Sequence, residues 1–230
     1  MTALSPDEWQ ALALSLRVAT LSVVVSLPFA LGLAWLLSRT RFPGRLFVEA
    51  LLFLPLTLPP VVTGYGLLVL FGRHGWIGEG LAQIGIVFAF RWTGAVLAAA
   101  VMGFPLLVLS IRVAFDHVDR RLERAAETLG ASAWRRFITI VLPLSTRGIV
   151  AGGVLAVARA FGEFGATITF VSSIPGETRT LPIAIYELMS LAGGDSGVQR
   201  LTMVALAVSF AATIAAAILG GSLWGRRRDD

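Results

Sequence analysis

Five long apolar runs, at about 11–37, 46–71, 86–111, 148–171 and 201–224, are separated only by short charged or glycine-rich segments. No other feature constrains the fold as much. Each run exceeds the ~20 residues with which a helix crosses roughly 30 Å of hydrocarbon at about 1.5 Å per residue. The composition agrees, because 56% of the residues are hydrophobic and the mean hydropathy is +0.81, whereas a soluble domain has about 45–50% apolar residues even with glycine counted. The expectation is an all-α membrane protein with five crossings, one domain over residues 1–230, without internal repeat or linker.

Charge sets the orientation. All 19 basic residues are arginines, and with 14 acidic residues they give a net charge of +5. With the N-terminus outside, Arg39, Arg41, Arg45, Arg112, Arg120, Arg121, Arg124, Arg135, Arg136, Arg147, Arg226, Arg227 and Arg228 fall on the cytoplasmic side. Only Arg73, Arg91, Arg179 and Arg200 fall outside, and Arg17 and Arg159 lie within spans. Thirteen against four follows the positive-inside rule. The same rule explains the basic balance, so nucleic acid is not an expected partner; membrane lipid is. The first ten residues hold Asp7 and Glu8 but no basic residue, unlike a cleavable signal peptide, and the first run is expected to be retained.

Several chemistries are excluded by residues the chain lacks. Without cysteine there is neither a disulfide nor a thiolate metal site, and His74 and His117 belong to no ligand cluster, so no metal is expected. Without lysine, a GxxxxGK[ST] phosphate loop cannot be written. Any nucleotide and its Mg²⁺ must sit on another chain. An intramembrane enzyme would need a positioned nucleophile, base or metal cluster, and none can be paired from the sequence; a channel is a further alternative class.

Within the spans, the second contains Pro55, Pro59 and Pro60, which remove helical hydrogen bonds, then Gly64 and Gly66; it is expected in the protein interior, kinked or partly unwound, with a simple proline kink as the expected form and a substrate-binding break as the alternative. The fourth carries Arg159 and Glu163 four residues apart on one face. Charges in a membrane pair with each other or face a water-filled path. A structural ion pair and a pathway role both fit that spacing. Thr167 and Thr169 add neutral hydroxyls suited either to solvating an oxyanion or to helix packing. Residues 181–192 are too short to cross and read as a half-helix on the outer side. Trp76 and Trp92 fall where the outer interface favours indole rings.

The longest charged interruption is 118–143, VDRRLERAAETLGASAWRRFITIVLP. Val118, Leu122, Ala125, Ala126 and Leu129 share one face of a helix, and charged residues cover the rest. Gly130 suits a helix end, Ser132 a second N-cap, and Pro143 is expected to stop the second helix at Leu142. The result is helix, glycine turn, helix. Pattern alone also allows an interfacial helix or a solvated loop helix.

Two adjacent alanines, Gly130 after three intervening residues, then Ile140 and Leu142-Pro143, resemble the cytoplasmic signature loop of ABC-importer permeases. The family pattern has Glu directly before the alanines; here Arg124 stands there and Glu123 is one position earlier. SLPFALGLAWLLSRTRFPGR, LPLTLPPVVTGYGLLVLFGR and GEFGATITFVSSIPGETRTLPIAIY extend the resemblance over nearly the whole chain, toward the molybdate permeases, with sulfate permeases related to them. The resemblance implies the ABC importer permease fold and a homodimer in the bacterial inner membrane. It further implies two cytoplasmic ATPase subunits that carry ATP and Mg²⁺, and an external oxyanion-binding protein that sets most of the choice among molybdate, tungstate and sulfate. It assigns ATPase coupling to Glu123, Ala125, Ala126, Leu129, Gly130, Leu142 and Pro143. Alternating access would then carry substrate without covalent chemistry on this chain.

Overall fold

The computed structural model describes residues 4–220, and among them every regular element is helical. The first helix, α1 (Pro6–Arg39), opens with a reciprocal cap: Ser5 Oγ accepts from the Glu8 N–H, and the Glu8 carboxylate accepts from the Ser5 N–H at 2.7 Å. After it come α2 (Arg45–Thr57), α3 (Pro60–Phe71), the short α4 (Gly78–Gln83) and α5 (Trp92–Asp116). Small residues let α1 and α5 pack along much of their length. Ala19, Ala30 and Ala34 on α1 and Ala95, Ala98 and Ala99 on α5 are buried, which permits the close backbone approach on which helix association in lipid relies.

These two helices run in the same direction. Arg39, in the last turn of α1, binds the Phe115 carbonyl near the end of α5, and Arg17, in the first half of α1, lies 3.9 Å over the ring of Trp92 at the start of α5. The chain must therefore recross between them, and the α2–α3 pair makes that crossing although it is bent by 112°. The bend is a break, which corrects the expected proline kink. Leu58 and Pro59 are extended (ψ 146° and 133°), as residues before proline tend to be, and neither Pro59 nor Pro60 has an N–H to donate.

Other boundaries differ from expectation as well. The third crossing starts at Trp92, not at 86, because residues 85–91 turn: Gly85 (φ 81°) and Phe90 (φ 60°) are left-handed, and Phe88 packs edge-on against Phe71. The fourth crossing is a longer path. After α6 (Arg120–Thr128) and α7 (Ala133–Arg136), a π turn over Phe137–Val141 leads directly into α8 (Leu142–Phe161). Pro143 thus sits in the first turn of α8 and ends nothing. The Leu142 N–H bonds the Phe137 carbonyl five residues back, and this widened turn precedes the position where a proline ring would crowd an α-helical carbonyl.

Beyond Phe161 the chain breaks again at 162–164, continues as α9 (Gly165–Val171), and reaches the expected half-helix as α10 (Leu181–Met189), then α11 (Asp195–Gly220). The expected last crossing at 201–224 begins earlier than that, while Trp224 and Arg226–Arg228 lie outside the described residues. Among the described residues, four helical stretches are long and apolar enough to cross a membrane, the broken α2–α3 pair makes the fifth crossing, and α9 continues beyond the break that ends α8. One apolar cluster, with Ala11, Leu67, Met102, Phe170 and Leu201, fills the end of the bundle near the start of α1. A second, with Leu37, Leu107, Phe115, Phe137 and Val141, fills the arginine-rich end. Met203, Leu206, Phe210, Ile214 and Ile218 cover α11 with exposed apolar surface of the kind lipid solvates.

Candidate coupling segment and transport path

Local sequence shapes α6. The Asp119 carboxylate accepts from the Arg121 N–H at 2.8 Å, capping the helix start. At its end Gly130 takes φ 82°, which only glycine adopts without a Cβ penalty, and the N–H groups of Gly130 and Ala131 bond the carbonyls of Glu127 and Ala126. A short arm returns from there, with Ser132 Oγ accepting from the Arg135 N–H. Phe137 anchors that arm: its ring lies 5.4 Å from Trp35, 5.8 Å from Phe115 and 5.7 Å from Trp134.

The two sides of α6 do different work. One is tied to the bundle. Arg39 Nη2 stands 2.8 Å from Glu123 Oε1 and donates to the Phe115 carbonyl at 2.7 Å, while Nη1 donates to Ser38 Oγ at 2.9 Å. Ser38 Oγ in turn donates to Asp116, and Arg120 donates to the Ser38 carbonyl at 2.9 Å. Farther along, Arg136 pairs with Glu127 at 2.5 Å. Below this lattice Glu49 joins Arg45 (3.1 Å) to Arg112 (3.0 Å). The other side is open: Leu122, Ala125 and Gly130 are exposed, Leu129 is 88% exposed, and Ala126 is half-buried.

The expected coupling residues therefore divide into groups. Ala125, Ala126, Leu129 and Gly130 share the open end of α6, and Glu123 turns inward to Arg39, its side chain 15% exposed. Leu142 packs on the inner cluster and Pro143 is exposed at the head of α8, so neither joins that surface. Sequence reasoning passed over Arg39 and Phe137. Arg39 stood only in a row of span-end arginines, and nothing local names a partner 84 residues away.

At the middle of the bundle the two breaks meet. A Cβ built on Gly165 would stand 2.7 Å from the Pro60 side chain, and one on Gly64 would stand 2.5 Å from the Ala166 carbonyl oxygen. Beside this contact Arg159 Nη1 binds Glu163 Oε2 at 2.7 Å, and Glu163 Oε1 accepts from the Ala166 N–H at 3.0 Å. Glu163 is 4% exposed, whereas the Arg159 side chain is 33% exposed. Thr167 is buried, and Thr169 spends its hydroxyl on the Gly165 carbonyl at 2.8 Å. Of the four expected path residues, the geometry leaves Arg159 as the one with free polar donors at an open face.

The far end is braced by further pairs. Arg200 binds Glu8 and Arg179 binds Glu187, each at 2.8 Å, around a cleft of about 420 Å³. Thr178 holds the 172–180 turn by accepting from the Ile174 N–H and donating to the Ser172 carbonyl. Glu177 reaches back to the Trp92 N–H at the start of α5.

Comparison with known proteins completes the description. The family model described as binding-protein-dependent transport system inner membrane component matches residues 16–225. The molybdenum transport system permease protein ModB of Escherichia coli K12 is 58% identical over 207 residues, 90% of each chain. Its counterpart from Haemophilus influenzae is 52% identical over 203 residues, 88% of this chain and 89% of that one. A crystal structure of a bacterial alginate ABC transporter in complex with an alginate pentasaccharide-bound periplasmic protein shares the fold at TM-score 0.73 and 16% identity. It covers 96% of this chain and 81% of that one. With the family model matching nearly the whole chain and two relatives above half identity, this chain belongs to the inner membrane components of binding-protein-dependent transport systems.

Proposed function

We propose that the chain is the membrane-spanning subunit of an ATP-driven molybdate importer. Two copies form the path, two ATPase subunits dock on the cytoplasmic side and hydrolyse ATP with Mg²⁺, and an external binding protein delivers the oxyanion. The observation that carries the mechanism is the two-sided α6, braced by Arg39 and Arg136 on one side and open at Ala125, Ala126, Leu129 and Gly130 on the other. An ATPase groove takes the open face, where small residues permit close approach and charged neighbours form a rim. The braced face then passes the motion to the ends of α1 and α5. Nucleotide binding brings the two α6 helices together and opens the path outward; hydrolysis returns it inward.

Orientation follows from charge. In the described residues Arg39, Arg45, Arg112, Arg120 and Arg136 gather at one end of the bundle, which the positive-inside rule makes cytoplasmic. The strong likeness to molybdenum permeases over 88–90% of the chain supports molybdate as cargo. Reconstitution tests the reading. The chain, purified with its ATPase subunits in proteoliposomes, should take up molybdate only when ATP, Mg²⁺ and the binding protein are all supplied, with sulfate competing weakly. Uptake without ATP, or none with the full set, overturns it.

A further inference from the structure

The position of Arg159 calls for an explanation beyond an ion pair. It stands in the last turn of α8, level with the junction of the two apolar clusters to which Ala156 and Ala160 belong, with its side chain one-third exposed, and a guanidinium at that depth does not face hydrocarbon without heavy cost. The surface beside it is equally unsuited to lipid. Pro59, Pro60 and Gly162 are exposed at the two helix breaks, and because prolines 59 and 60 lack an N–H, the carbonyls of Pro55 and Leu56 lose their helical donors. Water or a second copy must cover this face.

Arg159 has donors to spare. Among the described residues its one hydrogen bond is Nη1 to Glu163, which leaves Nε and Nη2 free. Glu163 cannot leave readily, since it is almost fully buried and its second oxygen holds the Ala166 N–H. Building on the importer reading above, we infer that Arg159 is an exchange site for a tetrahedral oxyanion dianion in the path, and that Glu163 is the fixed counter-ion that keeps this binding transient. The planar fork of the guanidinium matches two oxygens of such an anion. An uncompensated guanidinium in a low-dielectric path would hold a dianion, and conduction requires binding weak enough to leave. Glu163 supplies the compensation, and the oxyanion borrows the two free donors without displacing it.

The test uses the full permease–ATPase complex, with size-exclusion chromatography as the control for assembly. Arg159→Gln should lower the rate of molybdate uptake in proteoliposomes about ten- to a hundredfold, the loss of one or two charged hydrogen bonds. Arg159→Lys keeps the charge and the pair but loses the fork, and should fall between. Glu163→Gln gives the sharper reading: equilibrium dialysis with radiolabelled molybdate should detect anion retained by the purified complex, absent in wild type, together with slowed uptake. The inference is overturned if Arg159→Gln transports at the wild-type rate or if Glu163→Gln retains no more molybdate than wild type. It is also overturned if the neutral double variant Arg159→Gln, Glu163→Gln transports normally, the mark of a purely structural pair. A wild-type complex that takes up no molybdate overturns the importer reading itself, and this inference with it.

Discussion

Arg39→Ala should loosen α6 from the bundle while leaving the membrane helices packed. The Arg39 side chain is only 9% exposed, and its loss withdraws the 2.7 Å hydrogen bond to the Phe115 carbonyl and the 2.8 Å charge contact with Glu123. The Phe115 carbonyl belongs to α5, so the first loss loosens α1 from α5 and only the second releases α6. A sheltered charge-assisted contact is worth about 1–3 kcal/mol, roughly five- to a hundredfold in the balance between braced and released α6. Because the chain has no cysteine, two introduced ones report alone. Spin labels at Arg41 and Thr128, both exposed, should give one narrow distance distribution in the otherwise wild-type chain and a broad one with Arg39→Ala. In the assembled importer the same variant should still bind the ATPase subunits and hydrolyse ATP, with uptake per ATP sharply reduced. A narrow distribution with normal uptake per ATP would refute the bracing role.

Other outcomes follow from the same geometry. Ala126→Trp should leave membrane insertion intact and lose the ATPase subunits on purification, whereas retention of both the subunits and uptake would remove α6 from the docking surface. Gly64→Val forces a side chain against the Ala166 carbonyl and should cost about 3 kcal/mol, near the upper end for overpacking, read as a lower Tm in detergent. Phe137→Ala empties the contact among Trp35, Phe115 and Trp134 and should cost about 3–5 kcal/mol by the same assay. A cysteine at Arg121 should resist an impermeant thiol reagent added outside intact cells while one at His74, exposed at the opposite end, reacts; the reverse pattern inverts the topology.

The order of crossings was legible because hydrocarbon tolerates so little: long apolar runs and lopsided arginines leave few ways to thread a bilayer. Gly130 and Ser132 were readable as helix ends because capping is local chemistry. Pro143 misled because its effect depends on the turn before it, and a π turn absorbed what an α turn could not. The two breaks were only half visible. Prolines 59 and 60 marked the first, but the second rests on Glu163 taking the Ala166 N–H and on Gly165 meeting Pro60, which are tertiary events. In the 118–143 segment, helical spacing separated the open face from the charged one. That Glu123 turns to Arg39, and not to a partner subunit, depends on where the end of α1 lies, and no window of sequence carries that information.

The central claim is that work from the ATPase enters through the open end of α6. A photo-crosslinking residue at Leu129, exposed at the tip of that face, and another at Phe210, on the apolar surface of α11, test it within the assembled complex. The account predicts an ATPase-sized adduct from position 129, changed in yield when nucleotide is bound, and none from position 210. An ATPase adduct absent from position 129, in a complex that still transports, would contradict it.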